Sequence, residues 1–300
     1  MTRPRLAVTL GDPRGIGPEV VARALADGGV QEAADWVVVG PAGTQVPPAH
    51  SIGSWRDGGS AADAGKLAGL AIERACAMAI ARDVSGIVTA PIDKGALALA
   101  GYADPGHTEM LARLTGARTA MMLASDRLRV VLATTHLALR DVPRAVTAEA
   151  IVQAARITKA GLRAWFGIED PRLALCALNP HAGDGGRFGS EDDEVLAPAA
   201  RFVGMSGPFP ADTVFVRALR GEFDAVIAPY HDVGMTAIKV ASFGSAVNVT
   251  LGLPFPRTSP DHGTALDIAG QGVADPSSII HAMLLAAKIA TRTAVRTTPS

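Results

Sequence analysis

The stretch Arg129-Val-Val-Leu-Ala-Thr-Thr-His136 decides the architecture of this chain. Its apolar run does not alternate with polar residues, so both faces of the strand that it predicts should be buried, as they are in a parallel sheet. Short apolar runs of the same kind recur along the sequence, at Arg5–Leu10, Trp36–Val39, Gly86–Thr89, Leu173–Leu178 and Ala225–Ala228. We therefore expect a largely parallel sheet.

Stretches with helical spacing separate these runs. Residues 62–82 carry apolar side chains at helical spacing, Thr147 is suited to cap the start of a second helix, and Asp275-Pro276 is suited to open a third. Alternation of strands and helices predicts an α/β fold with right-handed crossovers. The length of 300 residues suggests two domains, since one domain usually has about 100–200 residues.

The composition limits the kind of partner. The formal net charge is −1 and no run of Lys or Arg stands out, so neither a nucleic acid nor a membrane surface is expected to bind. Cys76 and Cys176 lie in apolar surroundings and are expected to be buried, reduced thiols. No signal peptide and no apolar window of about 18 residues is recognisable. We expect a cytoplasmic protein with a small ligand.

Three of the predicted strands run into a histidine, namely His136, His181 and His231. In open α/β sheets, ligands bind just beyond the carboxyl ends of the strands, so residues far apart in the chain should reach one edge. Neutral imidazole binds zinc and related metals, and three protein ligands leave a coordination position for substrate. Taken singly, each histidine could simply end a strand or pack in a loop. Taken together, they favour a metal site.

Two further patterns suit an anionic ligand. The glycine-rich stretch Gly11–Glu19 follows the first strand and opens a helix, whose free N–H groups attract anions. It lacks the Gly-x-Gly-x-x-Gly fingerprint of a Rossmann site, and an ordinary strand-to-helix turn would explain it equally well. Lys239, Asn248 and Arg257 offer the two cations and the amide that a phosphate requires, although surface cations are usually only solvated.

The chain resembles the 4-hydroxythreonine-4-phosphate dehydrogenases of vitamin B6 biosynthesis. The blocks that carry the resemblance run in the family's order from one end of the chain to the other. They are Gly11-Asp-Pro-x-Gly-Ile-Gly-Pro-Glu19, Thr89-Ala-Pro-Ile-x-Lys94, Gly106-His-Thr-Glu109, Thr135-His136-Leu, Leu178-Asn-Pro-His-Ala-Gly183, Tyr230-His-Asp232, Val247–Ser259 and Asp261–Ala265.

The resemblance implies a site as well as a reaction. The family's metal ligands fall on His136, His181 and His231, with zinc as the usual metal and magnesium, manganese or cobalt as others. Its residues for a small phosphorylated hydroxy acid fall on His107, Thr108, Lys239, Asn248 and Arg257. The oxidant is NAD or NADP. The family is homodimeric, and one metal-binding histidine comes from the partner subunit.

Two of the blocks, Gly11–Glu19 and His262–Gly270, also look like those of isocitrate and isopropylmalate dehydrogenases. That wider fold implies two α/β/α domains with a cleft between them. Residues 1–118 plus 257–300 would form the cofactor-side domain, and residues 119–256 the domain for metal, substrate and dimerisation. The implied cofactor-binding residues are Asp12, Gly15, Gly17, His262, Gly263, Thr264 and Asp267.

The implied reaction is oxidation of 4-phospho-hydroxy-L-threonine to a 3-oxo acid, which decarboxylates to 3-amino-2-oxopropyl phosphate. Asp232, beside a candidate metal ligand, is the first candidate for the catalytic base, and Lys239 is the second. One alternative is a 4-phospho-D-erythronate or 4-phospho-D-threonate dehydrogenase of sugar-acid catabolism. An alternative from a different class is a metal-dependent phosphohydrolase.

Three residues depart from the family's usual sequence. The family commonly has Asn in place of Asp93, Gln in place of Val233 and a small residue in place of Arg14. A carboxylate of Asp12 or Asp93 would favour a substrate ammonium group, whereas Arg14 would oppose it. The departures therefore bear on which hydroxy acid is used.

Overall fold

The computed structural model of the chain describes residues 3–242 and 244–297. The strands in this part are β1 (Arg5–Thr9), β2 (Asp35–Ala42), β3 (His50–Ser54), β4 (Ile87–Thr89), β5 (Ala120–Ala124), β6 (Arg129–Leu132), β7 (Leu173–Cys176), β8 (Ser206–Phe209), β9 (Ala225–Ala228), β10 (Val247–Leu251) and β11 (Arg257–Ser259). The helices are α1 (Gly17–Leu25), α2 (Gly28–Ala33), α3 (Ala61–Ile80), α4 (Lys94–Leu99), α5 (His107–Thr115), α6 (Val142–Ala145), α7 (Ala148–Gly161), α8 (Ala197–Phe202), α9 (Ala211–Leu219), α10 (His231–Ala241) and α11 (Ser277–Thr297). The predicted α/β class is confirmed. Among the described helices, none has the length and apolar character to cross a membrane.

The apolar runs all form strands, namely β1, β2, β4, β6, β7 and β9. The predicted helices form as well. Ser60 caps α3 by accepting a hydrogen bond from the Asp63 N–H, and Thr147 caps α7 in the same way. Helix α11 begins at Ser277, just after the predicted Asp275-Pro276 opening. Local pattern and capping chemistry therefore determine these elements.

The chain divides into two compact units, of which unit 1 comprises residues 3–118 and 247–297. Its strands lie in the order β3-β2-β1-β4-β11-β10, all parallel except the antiparallel pair β10 and β11. Helix α3 covers the strands with a core that includes Ala7 and the free thiol of Cys76. Val8 points to the opposite face and is also fully buried. Both faces of the sheet are thus covered, as a parallel sheet requires.

The boundary of this unit differs from the predicted one. We expected the terminal part to resume at residue 257, but it resumes at Val247. The reason is strand pairing, because Asn248 of β10 is opposite Ser259 of β11. A hairpin keeps its two strands in one unit.

Unit 2 comprises the described residues between 119 and 246. Its strands lie in the order β5-β6-β9-β7-β8, with β5 and β6 antiparallel and the other neighbours parallel. Helices α9 and α10 pack on these strands over a core that includes Cys176, and burial raises the pKa of this thiol to about 12. Because β6, β9 and β7 are parallel neighbours, their carboxyl ends share one edge of the sheet.

Helix α1 fixes the loop that follows β11. The buried carboxylate of Glu19, in the first turn of α1, accepts hydrogen bonds from the backbone N–H groups of Gly270 and Ala274 at 3.2 and 3.1 Å. Arg23, one turn later, donates to the carbonyl of Ala274. The Gly11–Glu19 block therefore positions the His262–Gly270 block, which lies about 250 residues away in the sequence.

We predict that Glu19→Gln loosens this loop. One backbone N–H would then face an amide NH₂ group instead of a carboxylate oxygen, at a cost of about 1.5–3 kcal/mol. Urea unfolding should show the loss of stability, and peptides spanning residues 265–276 should exchange their amide hydrogens faster by mass spectrometry. Glu32→Gln, on the exposed face of α2, is the control. Equal exchange in both variants would contradict the role of Glu19.

Candidate functional site

The loops after β6 and β9 bring two of the predicted metal ligands together in unit 2. The Thr134 hydroxyl donates to the carbonyl of Pro229 at 2.8 Å, which joins the two loops. The rings of His136 and His231 lie with their centres 5.4 Å apart. Two imidazoles bound to one tetrahedral metal at about 2 Å would have ring centres roughly 5 Å apart. The pair therefore has the spacing that a shared metal ion requires.

The carboxylate of Asp232 contacts one member of this pair. Its Oδ1 lies 2.7 Å from Nδ1 of His231, and the Asp232 side chain is largely exposed. A carboxylate in this position holds the proton on Nδ1 and leaves Nε2 to face a metal. The contact gives Asp232 an orienting role toward His231, in addition to the base role that the sequence suggested.

The third histidine lies apart from this pair. The described residues contain no group of three or more His, Cys, Asp or Glu side chains that could hold a metal, so the predicted triad is not assembled within the described part of one chain. His181 follows β7 on an exposed loop, with its ring 6.4 Å from that of the exposed Phe188. The fully buried Asp192 holds the loop by accepting from the N–H groups of Leu178 and Asn179.

Backbone strain marks both histidine loops. His136 has φ 38°, and His181 and Ala182 have φ 53° and 56°. Residues other than glycine adopt this left-handed region at a cost of about 1–3 kcal/mol. Hydrogen bonds from Thr134 and to Asp192 maintain these conformations, so the loops hold the imidazoles in fixed positions.

The predicted substrate residues separate between the units. Lys239 lies in the last turn of α10 in unit 2 and is exposed. The other four, His107, Thr108, Asn248 and Arg257, belong to unit 1. The predicted boundaries already placed His107, Thr108 and Arg257 in a different domain from Lys239. Only Asn248 differs from the prediction, because β10 pairs with β11.

Arg257 is a buried cation at the start of β11. Its side chain is 2% exposed, and its guanidinium donates to the Thr89 hydroxyl at 2.6 and 3.1 Å and to the Thr250 hydroxyl at 3.0 Å. None of the described carboxylates forms an ion pair with it. Burial lowers the pKa of Arg257 to about 10, against the opposing effect of Glu109. The sequence analysis missed Thr89 and Thr250, although Thr89 opens one of the family blocks.

Two buried polar atoms of unit 1 lack partners among the described residues, Nε2 of His107 and Oδ1 of Asn248. Burial, together with the positive charges of Arg257 and Lys94, lowers the pKa of His107 well below its ordinary value. His107 and Thr108 occupy the first turn of α5, whose N-cap residue Gly106 provides no side-chain cap. Buried donors and acceptors without partners are costly, so this group suits a polar, anionic ligand.

The predicted cofactor residues also lie in unit 1. A Cβ atom on Gly15 would come within 2.8 Å of the Thr264 carbonyl oxygen, and one on Gly17 within 2.2 Å of the Leu10 carbonyl oxygen. We expected these glycines to let the backbone approach a ligand, and the structure shows that they also let the chain pack closely against itself. The Ile16 N–H also donates to the Thr264 carbonyl.

Three of the remaining cofactor candidates lie on the same loop as Thr264. His262, Gly263 and Asp267 are exposed on the loop after β11. A cavity of about 570 Å³ opens beside the loop, lined in part by Gly15, Trp55 and Gly270. Of the predicted cofactor residues, Gly15 lines this space, which is large enough for part of a dinucleotide.

Arg14 and Asp93, two of the departures from the family's sequence, lie together. Arg14 donates to both carboxylate oxygens of Asp12, at 3.1 and 2.7 Å, and its Nη2 lies 3.7 Å from Asp93. Asp12 is fully buried. Its carboxylate is therefore engaged by Arg14. Val233, the third departure, packs on the core of unit 2.

We predict that His107 makes the stability of the protein pH-dependent. Its folded-state pKa is lowered, so below about pH 6.5 the unfolded chain binds a proton that the folded chain does not. The free energy of unfolding should then fall as the pH falls, by up to about 1.4 kcal/mol per pH unit. Urea unfolding between pH 5 and 8 should show a smaller slope for His107→Gln. His281→Gln, at an exposed position of α11, should keep the wild-type slope. A wild-type slope in His107→Gln would show that His107 takes up its proton in the folded state.

Comparison with known proteins identifies the family of this chain. The family described as Pyridoxal phosphate biosynthetic protein PdxA matches residues 29–286. The 4-hydroxythreonine-4-phosphate dehydrogenase of Caulobacter vibrioides is 42% identical over 98% of this chain and 100% of its own. The crystal structure of the enzyme of that name from Klebsiella pneumoniae is 39% identical, with a TM-score of 0.85 over 96% of this chain and 98% of that one. A terephthalate 1,2-cis-dihydrodiol dehydrogenase from Burkholderia xenovorans is more distant, at 27% identity and a TM-score of 0.67 over 95% and 98%. The chain belongs to the PdxA family of pyridoxal phosphate biosynthetic proteins.

Proposed function

We propose that this protein oxidises the 3-hydroxyl of 4-phospho-hydroxy-L-threonine with NAD or NADP. The carbinol hydrogen leaves as hydride to the nicotinamide and the hydroxyl proton goes to a base. The resulting 3-oxo acid loses carbon dioxide to give 3-amino-2-oxopropyl phosphate. Family membership supports the reaction class. The observation that carries the substrate class is the buried Arg257 cation, which forms no ion pair with any described carboxylate.

Unit 1 would hold the phosphate end of the substrate. The Arg257 guanidinium supplies charge, and His107, which is neutral near pH 7, supplies a hydrogen bond through its unpartnered Nε2. The hydroxyls of Thr89 and Thr250 fix the direction of the guanidinium. A phosphate fixed in this way orients the remainder of the substrate, so its binding energy contributes to turnover.

His136 and His231 of unit 2 would hold a divalent metal, zinc by preference. When bound, such a metal lowers the pKa of the substrate hydroxyl and stabilises the charge that develops on its oxygen. Asp232 orients the His231 ring, and Thr134 keeps the two loops together. Asp232 and Lys239 stay as the candidate bases.

The third ligand would be His181 of the partner subunit in a homodimer. Three features support this assignment. His181 is exposed, it stands beside the exposed Phe188, and it belongs to no three-ligand group of the described chain. A histidine that a strained loop holds at the surface is well placed to coordinate a metal ion bound by a neighbouring subunit.

The cofactor would bind at the loop after β11. Gly263 and Thr264 would contact it through the backbone, and His262 and Asp267 through side chains. Glu19 and Gly15 would position the loop through the contacts described above. The nearby cavity offers room for the adenosine end.

One observation favours a second candidate substrate. The Arg14 guanidinium engages Asp12 and lies close to Asp93, so neither carboxylate is free to attract a substrate ammonium group. A 2-hydroxyl, as in 4-phospho-D-erythronate or 4-phospho-D-threonate, would need no such partner. A phosphohydrolase is disfavoured, because the relatives of this chain are named as dehydrogenases.

We predict that phosphorylated substrates depend on Arg257. Arg257→Lys keeps the charge but cannot reproduce the hydrogen bonds of the guanidinium to both Thr89 and Thr250. Its contact with the phosphate should weaken by about 1.5–3 kcal/mol, which is roughly a 10- to 150-fold decrease in kcat/KM. The measurement is NADH or NADPH formation with 4-phospho-hydroxythreonine, 4-phospho-erythronate, 4-phospho-threonate and their unphosphorylated forms. If kcat/KM for 4-phospho-erythronate or 4-phospho-threonate is more than tenfold higher than kcat/KM for 4-phospho-hydroxythreonine, the substrate is an aldonate phosphate. If phosphorylated and unphosphorylated substrates have equal kcat/KM values, the proposal of a phosphate site is wrong.

We also predict that two inactive variants restore activity when their subunits are mixed. A heterodimer of His181→Ala and His231→Ala chains has one intact site, made of His136 and His231 of one chain and His181 of the other. After exchange of subunits, roughly a quarter of wild-type activity should return. The matched control, His136→Ala with His231→Ala, removes ligands that lie on one chain and should restore none. Activity in the control, or none in the first mixture, would exclude this arrangement.

A further inference from the structure

Lys94 is a cation that the proposed mechanism does not use and that has no partner among the described residues. It is the first residue of α4, directly after the N-cap Asp93, whose carboxylate accepts from the Ala96 N–H at 2.7 Å. Its side chain is exposed, and no described residue forms an ion pair or hydrogen bond with its ammonium group. Asp93, its neighbour, is occupied by the helix cap and lies near Arg14.

The Lys94 side chain extends toward the start of α5. Its Cε lies 3.5 Å from the point where a Cβ of Gly106 would stand, and Oε2 of Glu109 lies 3.3 Å from the same point. The lysine stem therefore lies beside the first turn of α5, within ordinary contact distance of position 106. The next residue is His107, whose buried Nε2 lacks a described partner.

The positive charges of Arg257 and Lys94 both reach the imidazole of His107. The positive charges of both residues contribute, after burial, to the lowered pKa of His107. Unit 1 therefore holds two cations and a neutral imidazole around one small region, with Glu109 as the carboxylate that these charges also reach. Glu109 offsets part of this positive charge, and an anionic ligand would offset the remainder, since like charges repel.

The charge of the ligand decides what Lys94 can do. A phosphate monoester carries about −1.5 to −2 charges at pH 7, and Arg257 supplies one positive charge. We propose that Lys94 supplies the second, as a phosphate-binding residue of the same site. This inference rests on the proposed phosphorylated substrate. Lysine suits the role because its ammonium group acts as a point charge on a flexible stem, while Arg257 fixes the direction.

The test uses the full-length protein and inorganic phosphate as the probe, with binding measured by calorimetry. In Lys94→Met, phosphate affinity should fall roughly tenfold or more, whereas Lys94→Arg, which keeps the charge, should retain most of it. Wild-type affinity should also rise with pH as phosphate takes its second negative charge, and Lys94→Met should lose most of this rise. Lys66→Met, an exposed position of α3 in the same unit, is the control, and unchanged thermal unfolding shows that each variant is folded.

The outcomes separate this inference from the function on which it rests. If Lys94→Met binds phosphate as the wild type does while Arg257→Lys binds it weakly, the role of Lys94 is overturned and the phosphate site stands. If Lys94→Met weakens binding of 4-phospho-hydroxythreonine but not of inorganic phosphate, Lys94 serves another group of the substrate, and the inference is again wrong. If wild-type protein binds no phosphate and oxidises unphosphorylated substrates equally well, the proposed substrate class fails first.

Discussion

Burial of the Arg257 guanidinium is the constraint on which unit 1 depends. A buried cation is costly unless hydrogen bonds satisfy its donors, and here the hydroxyls of Thr89 on β4 and Thr250 on β10 accept them. These threonines belong to the strands on either side of β11. The charge therefore fixes three strands relative to one another. It also leaves the guanidinium without a carboxylate, so the chain keeps a positive charge in its interior that an anionic ligand would balance.

Unit 2 orders its site by a different means. The histidines there are held by loops at the carboxyl ends of parallel strands, and neutral hydrogen bonds join those loops to each other and to the buried Asp192. Left-handed backbone at His136 and His181 adds strain that these bonds must offset. Strain of this kind persists only where the surrounding structure imposes it. The positions of the imidazoles are therefore set by the loops and their hydrogen bonds, and not by the histidines themselves.

Much of this could be predicted, and the exceptions have physical causes. Unbroken apolar runs such as that of β9 specify buried strands, whereas β3 and β8 are half-exposed and contain Gly53, Gly207 and Pro208. A glycine pattern cannot tell whether the neighbour is a ligand or the chain's own backbone, so the contact of Gly15 with Thr264 could not be predicted. Strand ends predicted that the histidines share an edge, but a sequence does not tell which subunit completes a metal site.

The two departures at positions 14 and 93 are best understood as one change. An arginine alone at position 14 would raise the local charge by one, and an aspartate alone at position 93 would lower it by one, beside the fully buried Asp12. Together, Arg14 engages Asp12 with two hydrogen bonds and lies 3.7 Å from Asp93. Hydrogen bonding to Asp12, above all, raises the pKa of Arg14. The local charge then differs little from that of a small residue paired with Asn, so the reaction class survives the change. Arg14 does change the access of a ligand to Asp12. This difference would affect which substrate or cofactor the protein selects.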